Sequence, residues 1–198
     1  MSDLTIILLL KDRQEYNYRF LSHFLENNYN FNLFISDGSK KKNKKNISKI
    51  IKKNKKIRYF KYPEDTSYEK FYRKILNSLK RVSTKFVLFA ANDDFLIYKN
   101  ISKCLSFLNK NKNYIGSGGT MLGFTMIKKN SNDFKLSNLH TIYKKIDLDK
   151  NTKLERFNIF INNFSDLPRN CIIQKKILLQ NYNLSSRLFG NDIELKDH

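Results

Sequence analysis

Apolar residues along this chain change their spacing from one segment to the next, and the changes mark out its elements. Leu4–Leu10 is an unbroken apolar run, as expected of a strand buried on both faces. Phe20, Leu21, Phe24 and Leu25 then recur three or four residues apart, which predicts a helix over Gln14–Asn27. Phe31–Ser36 predicts a second strand, ending in the turn cluster Asp37-Gly38-Ser39. A short helix is expected at Ile47–Lys53 and a third strand at Ile57–Tyr62. Tyr68–Arg81 carries Phe71, Tyr72, Ile75 and Leu79 on one helical face. Phe86–Ala90 predicts a fourth strand and Ile101–Leu108 a helix. Strands alternating with helices call for a mostly parallel sheet, whose ligands sit at the C-terminal ends of the strands. The polar clusters at Asp37, Asp65 and Asn92–Asp94 would share that edge.

The remainder is less regular. Ser117-Gly118-Gly119 suggests a bulge or a close backbone approach. Asn130–Leu139 has the composition of a polar loop, and Leu154–Asn163 that of a short helix. Cys171–Ile173 resembles a late strand, followed by a helix over Lys175–Gln180. With 198 residues, no internal repeat and no interdomain linker, a single domain over 1–198 is expected.

Composition narrows the function classes. The 40% hydrophobic content is enough for a folded core, yet no uncharged run approaches the ~20 apolar residues needed to span a bilayer. Leu4–Leu10 lacks the basic flank and small-residue cleavage site of a signal peptide. Cys104 and Cys171 lie in apolar contexts and fit reduced core residues of a cytoplasmic protein. The net charge of +20 invites a polyanion partner, and much of the excess lies between Lys40 and Lys56. Lys heavily outnumbers Arg, however, whereas base and phosphate readout favours Arg forks. Nucleic acid is therefore disfavoured. A Lys- and Asn-rich coding bias is the favoured explanation of the run, ahead of an anionic membrane surface.

The densest chemistry is Asn92-Asp93-Asp94, two adjacent acids delivered by the end of a hydrophobic strand. Adjacent carboxylates repel, and are tolerated when solvated or neutralised by a divalent cation. An ordinary Asn/Asp turn is the alternative. The histidines, His23, His140 and His198, have no metal-ligand spacing. No P-loop and no G-x-G-x-x-G is present, against a nucleoside triphosphatase or a dehydrogenase.

Four stretches in order resemble the family 2-like glycosyltransferases of bacteria. They are Leu4–Arg13, Phe34–Ser39, Tyr62–Tyr68 leading into Tyr72-Arg73-Lys74, and Val82–Phe86 running into Asn92–Phe95. The resemblance covers roughly residues 4–118. It implies a GT-A (Rossmann-like) three-layer α/β fold with a mostly parallel central sheet, its nucleotide-sugar part in 1–118 and its acceptor side, incomplete, in 119–198.

It also implies roles. Asp37 would accept from the nucleotide base, most often uracil, although it equally suits an Asx turn before Gly38. Asp65 would lie near the nucleotide and Lys74 near the diphosphate. The first acid of the family's motif is Ala91 here, leaving Asp93 as the last carboxylate and a metal ligand, with Asn92 or Asp94 as stand-ins. A fainter match, Cys171–Lys176 followed by Phe189–Leu195 with a glycine turn, puts the general base at Asp192, with Glu194 as the nearest alternative.

The implied reaction is inverting, metal-assisted transfer from a nucleoside-diphosphate sugar, using Mn2+ or Mg2+. The acceptor would be a glycan or lipid-linked glycan of surface polysaccharide assembly, and the basic run would hold the enzyme at the inner membrane face. A nucleotidyltransferase is disfavoured because Lys11-Asp12-Arg13 has no glycine. An inactive nucleotide-sugar-binding homologue and a basic surface-binding module are the competing expectations.

Overall fold

A computed structural model describes residues 2–27, 29–40, 47, 54–130, 133–142, 148–162 and 171–191. Two compact units are present, Met1–Ser117 with Cys171–His198, and Gly118–Asn170.

The first unit is built on a six-stranded sheet. Its strands are β1 (Leu4–Leu10), β2 (Asn32–Asp37), β3 (Ile57–Lys61), β4 (Phe86–Ala91), β5 (Gly116–Gly118) and, late in the chain, β8 (Cys171–Gln174). The order is β3-β2-β1-β4-β8-β5. β3, β2, β1 and β4 run parallel, and β8 is antiparallel to β4. Its helices are α1 (Gln14–Glu26), α2 (Tyr68–Arg81), α3 (Tyr98–Lys110) and α5 (Lys175–Asn191).

Side chains of β1 alternate between two cores, as the two-residue period of a strand requires. Leu4, Ile6, Leu8 and Leu10 pack with Phe20, Leu21 and Phe24 of α1 and with Ile101 and Leu108 of α3. Ile7 faces the other way, with Ile75 and Leu79 of α2 and Leu178 of α5. The result is a three-layer sandwich with the central strand buried on both faces, which is why Leu4–Leu10 carries no polar alternation. Each buried Leu or Ile contributes about 1.5–3 kcal/mol of transfer free energy. α2 starts where Ser67 Oγ accepts from Lys70 N–H at 3.3 Å, an N-cap.

Two sequence expectations are revised in these elements. Asn130–Leu139 is not a loop: β6 (Leu122–Asn130) and β7 (Asp133–Thr141) form an antiparallel hairpin with register shifts, in the second unit. Local polarity concealed it because the pairing partner, not the segment's own composition, satisfies its backbone. The same unit holds α4 (Lys153–Asn162), as expected. The late helix α5 runs past Gln180 through Gly190 to Asn191, so the predicted glycine turn lies within a helix. A helical glycine costs roughly 1 kcal/mol, which a 17-residue helix tolerates. Of the expected helix at Ile47–Lys53, only Ile47 is described; it is helical and buried. Among the described residues no helix is long and apolar enough to cross a membrane.

Leu8 is fully buried in the central strand. Leu8→Ala is expected to cost about 2–5 kcal/mol, read as a lower urea midpoint at unchanged slope.

Candidate functional site

The site is set by the register of the parallel strands. Leu10 pairs with Asp37 and Leu9 with Ala91, so the last residues of β2, β1 and β4 end level with one another. Strands about 4.8 Å apart put the ends of β2 and β4 about 10 Å from each other along one C-terminal edge. Asp37 and Asp93 therefore belong to the same rim.

At the β1–β2 end, Asp37 is fully buried. Its Oδ1 accepts from Ser39 N–H at 2.8 Å, an Asx turn, and its Oδ2 accepts from the Tyr59 hydroxyl at 2.5 Å. Tyr59, two residues before Asp37's partner Lys61 on β3, was missed by sequence reasoning; the signal was its place on the strand face shared with Asp37. Burial, then the Asp37 hydrogen bond and charge, raise the pKa of Tyr59. The hydroxyl stays a donor.

Asp65 and Lys74 form an ion pair with side chains 4% and 1% exposed. Lys74 Nζ also donates to the Leu10 carbonyl at 3.2 Å, tying α2 to the end of β1. Burial lowers the pKa of Lys74, against the opposing pull of Asp65. Asp65 N–H donates to the Gly38 carbonyl at 3.0 Å. A Cβ on Gly38 would meet the Asp65 carboxylate at 2.2 Å, so glycine is required there by the acid's close approach. Asp65 Oδ1 is buried without a hydrogen-bond partner among the described residues. Lys11 Nζ donates to the Asp65 carbonyl at 2.5 Å, and Lys61 Nζ to the Ser39 and Tyr62 carbonyls at 2.5 and 2.8 Å.

At the β4 end the three polar residues part company. Asn92 is buried, and its Nδ2 donates to Asn17 Oδ1 at 2.6 Å on α1. It anchors a helix instead of facing the rim. Asp93 is exposed and paired with Arg13, Nη1 to Oδ2 at 2.9 Å, while Arg19 Nη2 donates to the Asp93 carbonyl at 3.0 Å. Asp94 is half-buried; burial first, then the charge of Asp93, raise its pKa. Among the described residues no group of three His, Cys, Asp or Glu is placed to hold a metal ion. The proposed bases Asp192 and Glu194 lie outside the described residues, as does most of the Lys40–Lys56 run.

Sequence reasoning also missed the work of Arg13 and Arg19. Asp12 and Arg13 adopt left-handed backbone, φ 56° and 52°, without being glycine. Such residues cost about 1–2 kcal/mol each and carry the chain from β1 into α1, where Asn17 Nδ2 donates to the Asp12 carbonyl at 2.9 Å. The guanidinium of Arg19 stacks 4.7 Å from the Tyr16 ring and 4.8 Å from the Phe95 ring. Burial, then the neighbouring Cys104, push the Cys171 thiol up to about 11.

Solved structures of similar shape include S. aureus TarS and a mannosyltransferase. S. aureus TarS 1–349 superposes with a TM-score of 0.56 at 14% identity, over 91% of this chain and 49% of its own. The same fragment in complex with UDP gives 0.53 at 14%, with the same coverage. The mannosyltransferase PcManGT from Pyrobaculum calidifontis, in complex with GDP-Man and Mn2+, gives 0.50 at 9%, over 60% of this chain and 36% of its own. The fold is GT-A. The chain spans about half the length, or less, of these structures. No family model and no curated protein matches it. What the GT-A sheet contributes here is the level rim described above, with acids at the ends of β2 and β4 and cations between them.

Lys74→Met would strand a buried carboxylate at Asp65. A loss of about 3–5 kcal/mol is expected, measured by urea denaturation, with much of it recovered on adding Asp65→Asn. Asp94→Asn should act in the opposite direction. A raised pKa means that folding disfavours the ionised form, a penalty complete above the folded pKa and absent below the ordinary 3.8. The variant's melting temperature is expected to exceed wild type at pH 7, the gain shrinking as pH falls and vanishing below about the ordinary value.

Proposed function

We propose that this chain binds a nucleoside-diphosphate sugar, UDP-linked, and transfers the sugar with inversion to an acceptor hydroxyl, as a family 2-like glycosyltransferase. The observation that carries it is the unpartnered Asp65 Oδ1 at the GT-A sheet's C-terminal edge. A buried carboxylate oxygen with no donor is costly, and the imide N–H of a uracil base would satisfy it. Asp37, expected to take the base itself, has both oxygens engaged by Ser39 N–H and the Tyr59 hydroxyl, and supports the contact by holding that turn. The UDP complex of TarS 1–349 and the GDP-Man complex of PcManGT support a nucleotide-sugar donor on this fold.

A donor whose base lies at the β1–β2 end would direct its diphosphate along the rim toward β4, about 10 Å away. Transfer is a single displacement: the acceptor oxygen attacks the anomeric carbon, its proton passes to a carboxylate, and the nucleoside diphosphate leaves. Asp192, or Glu194, is the proposed proton acceptor. Lys74, expected near the diphosphate, is spent on Asp65 and the Leu10 carbonyl, so its proposed part is to hold Asp65 at the base end.

Mn2+ or Mg2+ at Asp93 and Asp94 is a source of neutralising charge. Asp94, whose ionisation is disfavoured by burial and then by the Asp93 charge, would gain from a hard cation beside it. Such an ion would neutralise charge on the departing diphosphate. The two acids are a partial ligand set, and donor oxygens would have to complete it. The acceptor is proposed to be a glycan or lipid-linked glycan of surface polysaccharide assembly, with the Lys40–Lys56 run holding the protein to the cytoplasmic face of an anionic membrane.

A panel of nucleotide sugars screened by thermal shift tests the donor. A UDP-sugar is expected to raise the melting temperature. Asp65→Asn should weaken UDP binding about tenfold or more, the worth of a hydrogen bond to a charged acceptor. Binding with no transfer to any glycan acceptor would mark an inactive homologue. A panel without any shift would end the donor assignment.

A further inference from the structure

Besides the base-proximal lysines, the rim holds a second cationic group whose geometry is unlike theirs. Lys11 and Lys61 are spent on backbone carbonyls, and Lys74 is buried against Asp65. Arg19 is clamped between the Tyr16 and Phe95 rings and fixes the Asp93 turn through its carbonyl. Arg13 differs from all four. Its side chain is 59% exposed, with the guanidinium 5.5 Å from the Tyr16 ring, and its ion pair is with Asp93, whose side chain is 45% exposed. An exposed pair of this kind holds weakly and is screened by salt.

Arg13 also sits on the strained Asp12-Arg13 step, which brings it from the end of β1 across to the acids at the end of β4. Strain kept at a sheet's ligand edge points to a positional need. The charge balance says what that need is. The turn after β4 already carries Asp93 and Asp94, and a diphosphate brought to it would face two like charges. An Arg fork binds phosphate oxygens through two parallel, charge-assisted bonds, a stronger contact than its exposed carboxylate pair.

Resting on the donor assignment above, we infer that Arg13 is the diphosphate clamp of this site. The guanidinium leaves Asp93 and forks onto the diphosphate oxygens, so that donor binding persists when the divalent cation is removed. Asp93 then serves as the resting partner that keeps Arg13 at the rim when no donor is bound. Arg19 is a positioning residue, holding the Asp93 turn where Arg13 reaches it.

Calorimetric titration with UDP, and with uridine as the phosphate-free probe, tests the clamp in EDTA and in Mn2+. Wild type is expected to bind UDP in EDTA. Arg13→Gln should lose at least tenfold in UDP affinity there while binding uridine unchanged, and Arg13→Lys should recover only part. Asp93→Asn, which frees Arg13 and removes a repelling charge, should bind UDP more tightly in EDTA. Wild type that binds UDP only with Mn2+, an Arg13→Gln that binds UDP as wild type does, or an Asp93→Asn that loses UDP affinity would each overturn the clamp. The first of these outcomes leaves the donor assignment standing with Asp93 as a metal ligand, and the other two leave it standing without the clamp. Absence of binding by UDP and uridine alike, in both buffers, would remove the donor assignment and the clamp together. Melting curves matching wild type confirm that the variants are folded, as expected for side chains this exposed.

Discussion

The ion pair between Asp65 and Lys74 holds the site's architecture together. It is almost wholly removed from water, so neither member is tolerable without the other. Through Lys74 it binds α2 to the Leu10 carbonyl at the end of β1. Through the Asp65 backbone it binds the β3–α2 connection to Gly38, and the carboxylate's approach forbids any side chain at that glycine. Three connections of the sheet, after β1, β2 and β3, thus meet at one pair of opposite charges. Hydrophobic packing alone would leave these loops free to slide along the apolar faces. The pair fixes them, and leaves one carboxylate oxygen without a donor.

The rim is a balance of charge in which burial decides each group's task. Lysines at the β1–β3 end are consumed by carbonyls and by Asp65, so they shape the loops and raise the local potential. Toward β4 the charges are exposed, and their pairing is correspondingly weak. Arg13 and Asp93 meet in that setting, where an exposed contact holds weakly. A buried end that keeps one carboxylate oxygen for a donor, and an exposed, exchangeable end, are what the proposed ligand, a neutral base with an anionic tail, would require.

Much of the first unit was legible in the chain. The apolar run of β1, the helical spacing in α1 and α2 and the alternation of elements were enough to specify a parallel sheet with acids on one edge. Asp37, Asp65 and Asp93 were found because turn residues at strand ends have few other places to go. The Asn92 and Asp94 environments were not legible, since nothing in Asn92-Asp93-Asp94 tells which side chain turns toward α1. Asn92 does, because Asn17 offers it an amide partner across 75 positions of sequence. The β6–β7 hairpin escaped for a related reason: a strand with polar composition is recognisable only beside the strand it pairs with.

Sequence by itself determined the periodicities, hence the elements, their parallel order and the edge on which polar residues gather. Those follow from local sterics and from the burial of apolar faces, which neighbours in sequence already encode. Tertiary structure decided the pairings: Tyr59 with Asp37, Lys74 with Asp65, Arg13 with Asp93. Hydrogen bonds and ion pairs act over a few ångströms, so their partners are chosen by which chain segments the sheet register brings level, and no spacing along the chain records that.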